Sequence, residues 1–107
     1  MARFLFQGTY STEGVKGILK EGGSGRVKAV EDALHAFGGK IEAFYFAFGE
    51  TDIYIIVDGI DNETALSFAM GVGASGALAN VTTTVLLTPA EVDHAAKKTM
   101  SYRAPGR

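Results

Sequence analysis

Bulky and polar residues alternate at the start of the chain, with Phe4, Phe6 and Tyr10 on one face and Arg3, Gln7 and Thr9 on the other. A period of two predicts a strand over Phe4–Tyr10. The period then lengthens: Ser11 offers an N-cap hydroxyl, and Val15, Ile18 and Leu19 follow at helical spacing. Gly22-Gly23-Ser24-Gly25 interrupts this helix, because each interior glycine costs it about 1 kcal/mol relative to alanine. Helical spacing resumes with Val27, Val30, Leu34 and Phe37, and Gly38-Gly39 ends it with a left-handed cap supplied by one of the two glycines.

Two further strands are predicted around Ile41–Phe48 and Asp52–Asp58, joined by the polar turn Gly49-Glu50-Thr51-Asp52. Simple alternation sets Phe44, Phe46 and Phe48 on one face against Ile41, Ala43, Tyr45 and Ala47 on the other. Asp61 caps a second helix with Ala65, Leu66, Phe68, Ala69 and Val72 inward, and the glycines of 71–76 weaken its end. Val81–Leu87, rich in valine and threonine, reads as a fourth strand. Thr88-Pro89-Ala90-Glu91 combines a capping box with proline at the first helical position, opening a short helix to about Lys98.

The order β-α-β-β-α-β plus a terminal helix predicts an α+β domain with a ferredoxin-like four-stranded antiparallel sheet. One domain is expected over residues 1–100, with a flexible tail over 101–107. Helices cover one face of such a sheet. The other is expected to carry Arg3, Leu5, Gln7, Thr9, Thr82, Thr84 and Leu86 with part of the phenylalanine row, too apolar for water and too polar for a dry core. Packing against a second copy resolves this, so the expected partner is the chain itself, most simply in a dimer with facing sheets enclosing a partly polar cavity.

Composition narrows the chemistry. Hydrophobic residues make up 47% and charged residues 21% of the 107, with a net charge of −2. No basic patch is evident for phosphates, so nucleic acid is not an expected partner. The absence of cysteine removes disulfides, thiolate nucleophiles and cysteine-based zinc sites. Met1-Ala2-Arg3 does not resemble a signal peptide and the apolar runs are too short to span a bilayer, so no membrane association and a cytoplasmic location are expected.

Several short motifs follow one another along the chain: Tyr10-Ser11-x-x-Gly14-x-Lys16, Gly38-Gly39-Lys40-x-Glu42-x-Phe44-Tyr45, Gly49-x-x-Asp52, Gly73-x-Ser75-Gly76 and Thr82-x-Thr84. In this order the chain resembles the bacterial GYD-domain family from about Phe4 to Glu91. The resemblance implies a dimeric α+β-barrel type of domain without an established biochemical role. Where the family's Gly-x-Tyr-Asp signature has tyrosine, this chain has Thr51, so no role of that tyrosine carries over.

Among individual residues, Asp52 at the hairpin exit is the first catalytic candidate, as a general base or an anchor for a cationic group. The alternative is a turn aspartate accepting backbone N–H bonds. Tyr10 is its candidate proton partner, able to donate to a developing oxyanion. Lys16 and Tyr45 are candidate ligand contacts near the same cavity mouth, Thr82 and Thr84 on the fourth strand, and Arg26 as an anion contact beside the helix break. Against these stand core aromatics with satisfied hydroxyls and a solvated lysine. Glu91-x-x-His94 spaces a carboxylate and an imidazole on one helix face, but no second such motif is present, so neither a metal nor a cofactor is expected. The glycine runs lack the strand-to-helix context of a phosphate loop, and the serines lack a nucleophile elbow. Three function classes follow. The first is a small-molecule-binding domain within a homo-oligomer; the second is a cofactor-free isomerase or monooxygenase acting on an aromatic-type substrate; the third is a structural assembly module.

Overall fold

The computed structural model describes residues 2–107. Its elements are β1 (Ala2–Tyr10), α1 (Thr12–His35), β2 (Lys40–Phe46), β3 (Ile53–Ile60), α2 (Asn62–Ala74), β4 (Leu78–Leu86) and α3 (Pro89–Lys97). The strands form one four-stranded sheet in the order β2-β3-β1-β4, antiparallel throughout. Among the described residues no helix is long and apolar enough to cross a membrane.

All three helix starts marked by side chains form as the sequence dictates. Ser11 caps α1 by accepting from the Gly14 N–H, and Asp61 caps α2 by accepting from the Thr64 N–H. At α3, Thr88 and Glu91 complete a reciprocal capping box. The glycine break in α1 is real: Gly22 sits at φ 81°, ψ 164°, outside helical space, so α1 is two limbs meeting at a kink. After the second limb the left-handed residue is Gly38, at φ 77°, while Gly39 N–H returns to the Leu34 carbonyl.

The core lies between the sheet and the helices. Phe4 and Phe6 of β1 and Ile53, Ile55 and Val57 of β3 point to this side, closed by Leu34 of α1, Ala65 of α2 and Ile60. The opposite face carries Arg3, Leu5, Gln7 and Thr9, opposite Leu86, Thr84, Thr82 and Asn80 of β4. Arg3 is held there by Glu42 at 2.7 Å and Asp58 at 3.7 Å.

The phenylalanine row departs from simple alternation. A register shift between Ile41 and Ala43 puts Ile41 on the core side with Phe44 and Phe46, opposite Val57, Ile55 and Ile53. Ala43 and Tyr45 are left on the open face, opposite Ile56 and Tyr54. Inserting one residue into a strand reverses the facing of what precedes it. Phe48 falls past the end of β2 and is almost wholly exposed, because the Ala47 N–H turns to the Asp52 carbonyl and closes the loop.

Candidate functional site

The end of β1 is where three of the sequence motifs meet, those of Tyr10–Gly14, Gly49–Asp52 and Ser75–Gly76. Ser11 N–H donates to the Ala77 carbonyl at 2.9 Å. The Ser11 hydroxyl accepts from Gly14 N–H at 3.1 Å and is directed at the Gly76 and Ala77 carbonyls, 2.5 and 3.1 Å away. Gly14 is buried so closely against this junction that a Cβ on it would lie 2.0 Å from the Ala77 oxygen. From the other side, the Asp52 carboxylate accepts the Tyr10 N–H at 3.0 Å, and Asp52 N–H donates to the Gly8 carbonyl at 2.8 Å. Thr9 Oγ1 donates to the Glu50 carbonyl. The Tyr-Ser-x-x-Gly and Gly-x-x-Asp motifs thus tie β1 to the α2–β4 junction and to the β2–β3 loop.

Above this knot a cleft of about 400 Å³ opens between the second limb of α1, α2 and the core side of the sheet. Val30, Leu34, Phe37, Ile55, Phe68 and Val72 form much of its wall. Where the helices face each other their residues are small: Ala29 and Ala33 on α1, Ser67 and Gly71 on α2. Small side chains on both helices leave the gap unfilled, and a lining that is mostly apolar with a few polar groups is what ligand sites present.

Two polar residues mark the β1 end of the cleft. Burial pushes the Tyr10 phenol up to about 12; the positive charge of Arg26 opposes this, and the carboxylates of Glu21 and Asp52 add to it. Tyr10 is therefore a neutral hydroxyl at any physiological pH. Arg26 is the one charged residue among the described cleft-lining side chains. Its Nε lies 3.0 Å from Glu21 Oε2, near enough to pair the charges. The N–H does not point at that oxygen, so the buried Nε donor has no acceptor.

Of the residues singled out from the sequence, the structure brings Tyr10, Asp52 and Arg26 to one region. Tyr10 and Arg26 line the cleft, whereas Asp52 stands behind Tyr10 and meets its backbone rather than its hydroxyl. Lys16 is outside, exposed on the first limb of α1 and 3.7 Å from Glu13. Tyr45, Thr82 and Thr84 occupy the open face of the sheet. Glu91 is bonded to the Thr88 N–H at 3.0 Å, and the capping bond holds its carboxyl below the usual range. The trace of the cleft in the sequence is the small residues Ala29, Ala33, Ser67 and Gly71.

Sheet order, helix placement and the cross-tied end of β1 define a ferredoxin-like α+β domain. A family model described as the GYD domain matches residues 4–96, and the chain belongs to that family. In fold it is similar to the crystal structure of MtbAldR, with a TM-score of 0.59 and 17% identity over 81% of this chain. The match spans 53% of the MtbAldR chain, about half its length. No curated protein matches the chain.

Proposed function

We propose that this GYD-domain protein binds a small apolar molecule in the cleft between α1 and α2 and works as a homo-oligomer, most simply a dimer. The observation that carries the binding role is the cleft: about 400 Å³, largely apolar, with Tyr10 and Arg26 as its polar landmarks. A volume of this order is within the range of small-molecule sites. Asp52 serves it indirectly, by fixing the backbone of Tyr10. Self-association is supported by the open sheet face, where Tyr45 and Tyr54 are exposed, and by the exposed Leu87, Val92, Met100 and Tyr102 at the C-terminal end. Apolar surface of that extent favours burial against a partner.

A thermal-shift screen of small apolar compounds tests the binding role, read beside Gly71→Leu. Gly71 lines the cleft and a Cβ there meets nothing within 4 Å, so a larger side chain has room to start at this position and take up space in the cleft. Compounds that raise the wild-type Tm are expected to lose their effect in this variant. A screen without stabilising compounds, or hits indifferent to Gly71→Leu, would sink the reading.

A further inference from the structure

We infer that the ligand of the cleft is an apolar carboxylic acid whose carboxylate pairs with Arg26 and whose body lies between the second limb of α1 and α2. The inference rests on the binding role proposed above and names the chemistry of its ligand. Three observations carry it. The cleft walls are mostly hydrocarbon, so the ligand's body is apolar. The charged group at the β1 end, the Arg26 guanidinium, can only donate, and the Tyr10 hydroxyl can donate as well, so an acceptor head suits both. The Arg26 Nε–H is buried without an acceptor, a costly state that a correctly placed oxygen relieves.

Two carboxylates stand near these donors and must be reckoned with. Asp52 accepts the Tyr10 N–H. Glu21 pairs with Arg26 but is off the line of its N–H, and its side chain is more than a third exposed. An entering carboxylate therefore exchanges with one already present. Glu21 returns to water from a loose, partly exposed pair, and such pairs contribute little. The newcomer, held in a fixed apolar cleft, makes the charge-assisted bond that Glu21 does not.

The test compares 4-phenylbutyrate with 4-phenyl-1-butanol, which share a body and differ in the head, by calorimetric titration at pH 7. The wild type is expected to bind the acid at least about tenfold more tightly than the alcohol, the worth of one charge-assisted bond. Arg26→Gln should bring the acid's affinity down to that of the alcohol, and the alcohol's remaining binding to this variant reports an intact cleft. Glu21→Gln should tighten the acid alone by removing the competing carboxylate. Equal affinity for both probes, or an acid preference that survives Arg26→Gln, overturns the inference and leaves the cleft as a binding site. Binding of neither probe overturns the inference, and failure of the wider screen removes the binding role as well. Intersubunit NMR contacts from Met100 or Tyr102 to Phe68 in the ligand-free protein would show the cleft filled by a second copy's tail, and would also overturn it.

Discussion

Gly14 and Asp52 hold the end of β1 from opposite sides, one by having no side chain and the other by the reach of its carboxylate. A methyl group at Gly14 would strike the Ala77 carbonyl at 2.0 Å and Tyr10 Cδ1 at 2.9 Å, and the first of these is backbone that cannot swing aside. Gly14→Ala is expected to lose about 3 kcal/mol, the upper end for overpacking, in urea unfolding. Asp52→Ala leaves the part-buried Tyr10 N–H without its partner and should cost about 1–2 kcal/mol, with faster hydrogen exchange at that amide. Asp52→Asn keeps an acceptor oxygen and should lose less. Tyr10 adds a pH signature. Its phenol titrates near 10.0 when unfolded and about 12 when folded, so between those values the unfolded chain releases a proton that the native protein keeps. Its contribution is intact below pH 10, and stability falls as pH rises toward 12. The difference between wild type and Tyr10→Phe in unfolding free energy should change over that window and stay constant below it. A role such as that of Asp52 was open to a reader of the sequence only as a choice between base and turn acceptor. Its partner lies 42 residues away, and pairing across the sheet decides which atom it meets.

The elements themselves were legible wherever a local signal acts alone. Capping at Ser11, Asp61 and Thr88 depends on a few neighbouring residues, and each helix starts where those residues stand. Glycine clusters are less transparent, because a glycine can break a helix or merely weaken it. In α1 the two cases sit together. Gly22 adopts a conformation nearly reserved for glycine, so Gly22→Ala should cost about 1–3 kcal/mol. Gly25 lacks a positive φ, and a Cβ there would make ordinary contact with Glu21 at 3.5 Å. Gly25→Ala should therefore stabilise by about 0.5–1 kcal/mol, and opposite shifts of Tm check the pair. The bulge at β2 shows what local pattern cannot carry. Phe44 and Phe46 alternate with Ala43 and Tyr45 as expected, but nothing in Lys40-Ile41-Glu42 announces an extra residue. Glu42, the residue at the shift, meets the distant Arg3, whose Nε donates to it at 2.7 Å.

The chain is long for its mass. Its axes extend 57 × 33 × 22 Å and its radius of gyration is 17.0 Å, whereas a compact domain of about 100 residues has roughly 13 Å. At the C-terminal end, α3 has no buried residue. A nine-residue helix is marginal on its own, and Val92 on it and Leu87 just before it remain exposed. Deleting residues 88–107 should leave cooperative unfolding of the domain while weakening self-association, followed by native mass spectrometry across a concentration series. An undiminished oligomer would remove α3 from the contact, and a wild-type monomer at micromolar concentration would remove the oligomer altogether. The cleft also belongs to this scale. Ala29 and Ala33 lie seven and eleven positions after Gly22, and Gly71 lies on another helix, so the space arises only once both helices are laid on the sheet.

The sheet order has a consequence for how the chain reaches this state. β1 is the first strand to be synthesised, yet it lies inside the sheet, paired with β3 through Gly8–Ile53 and with β4 through Arg3–Leu86. Its backbone stays half unpaired, and Phe4-Leu5-Phe6 stays without full cover, until nearly the whole domain has left the ribosome. Such long-range pairing folds slowly and exposes strand edges while it waits. Chains truncated before β4 should thus collect in the aggregated fraction of a cell lysate, whereas the full chain stays in the supernatant.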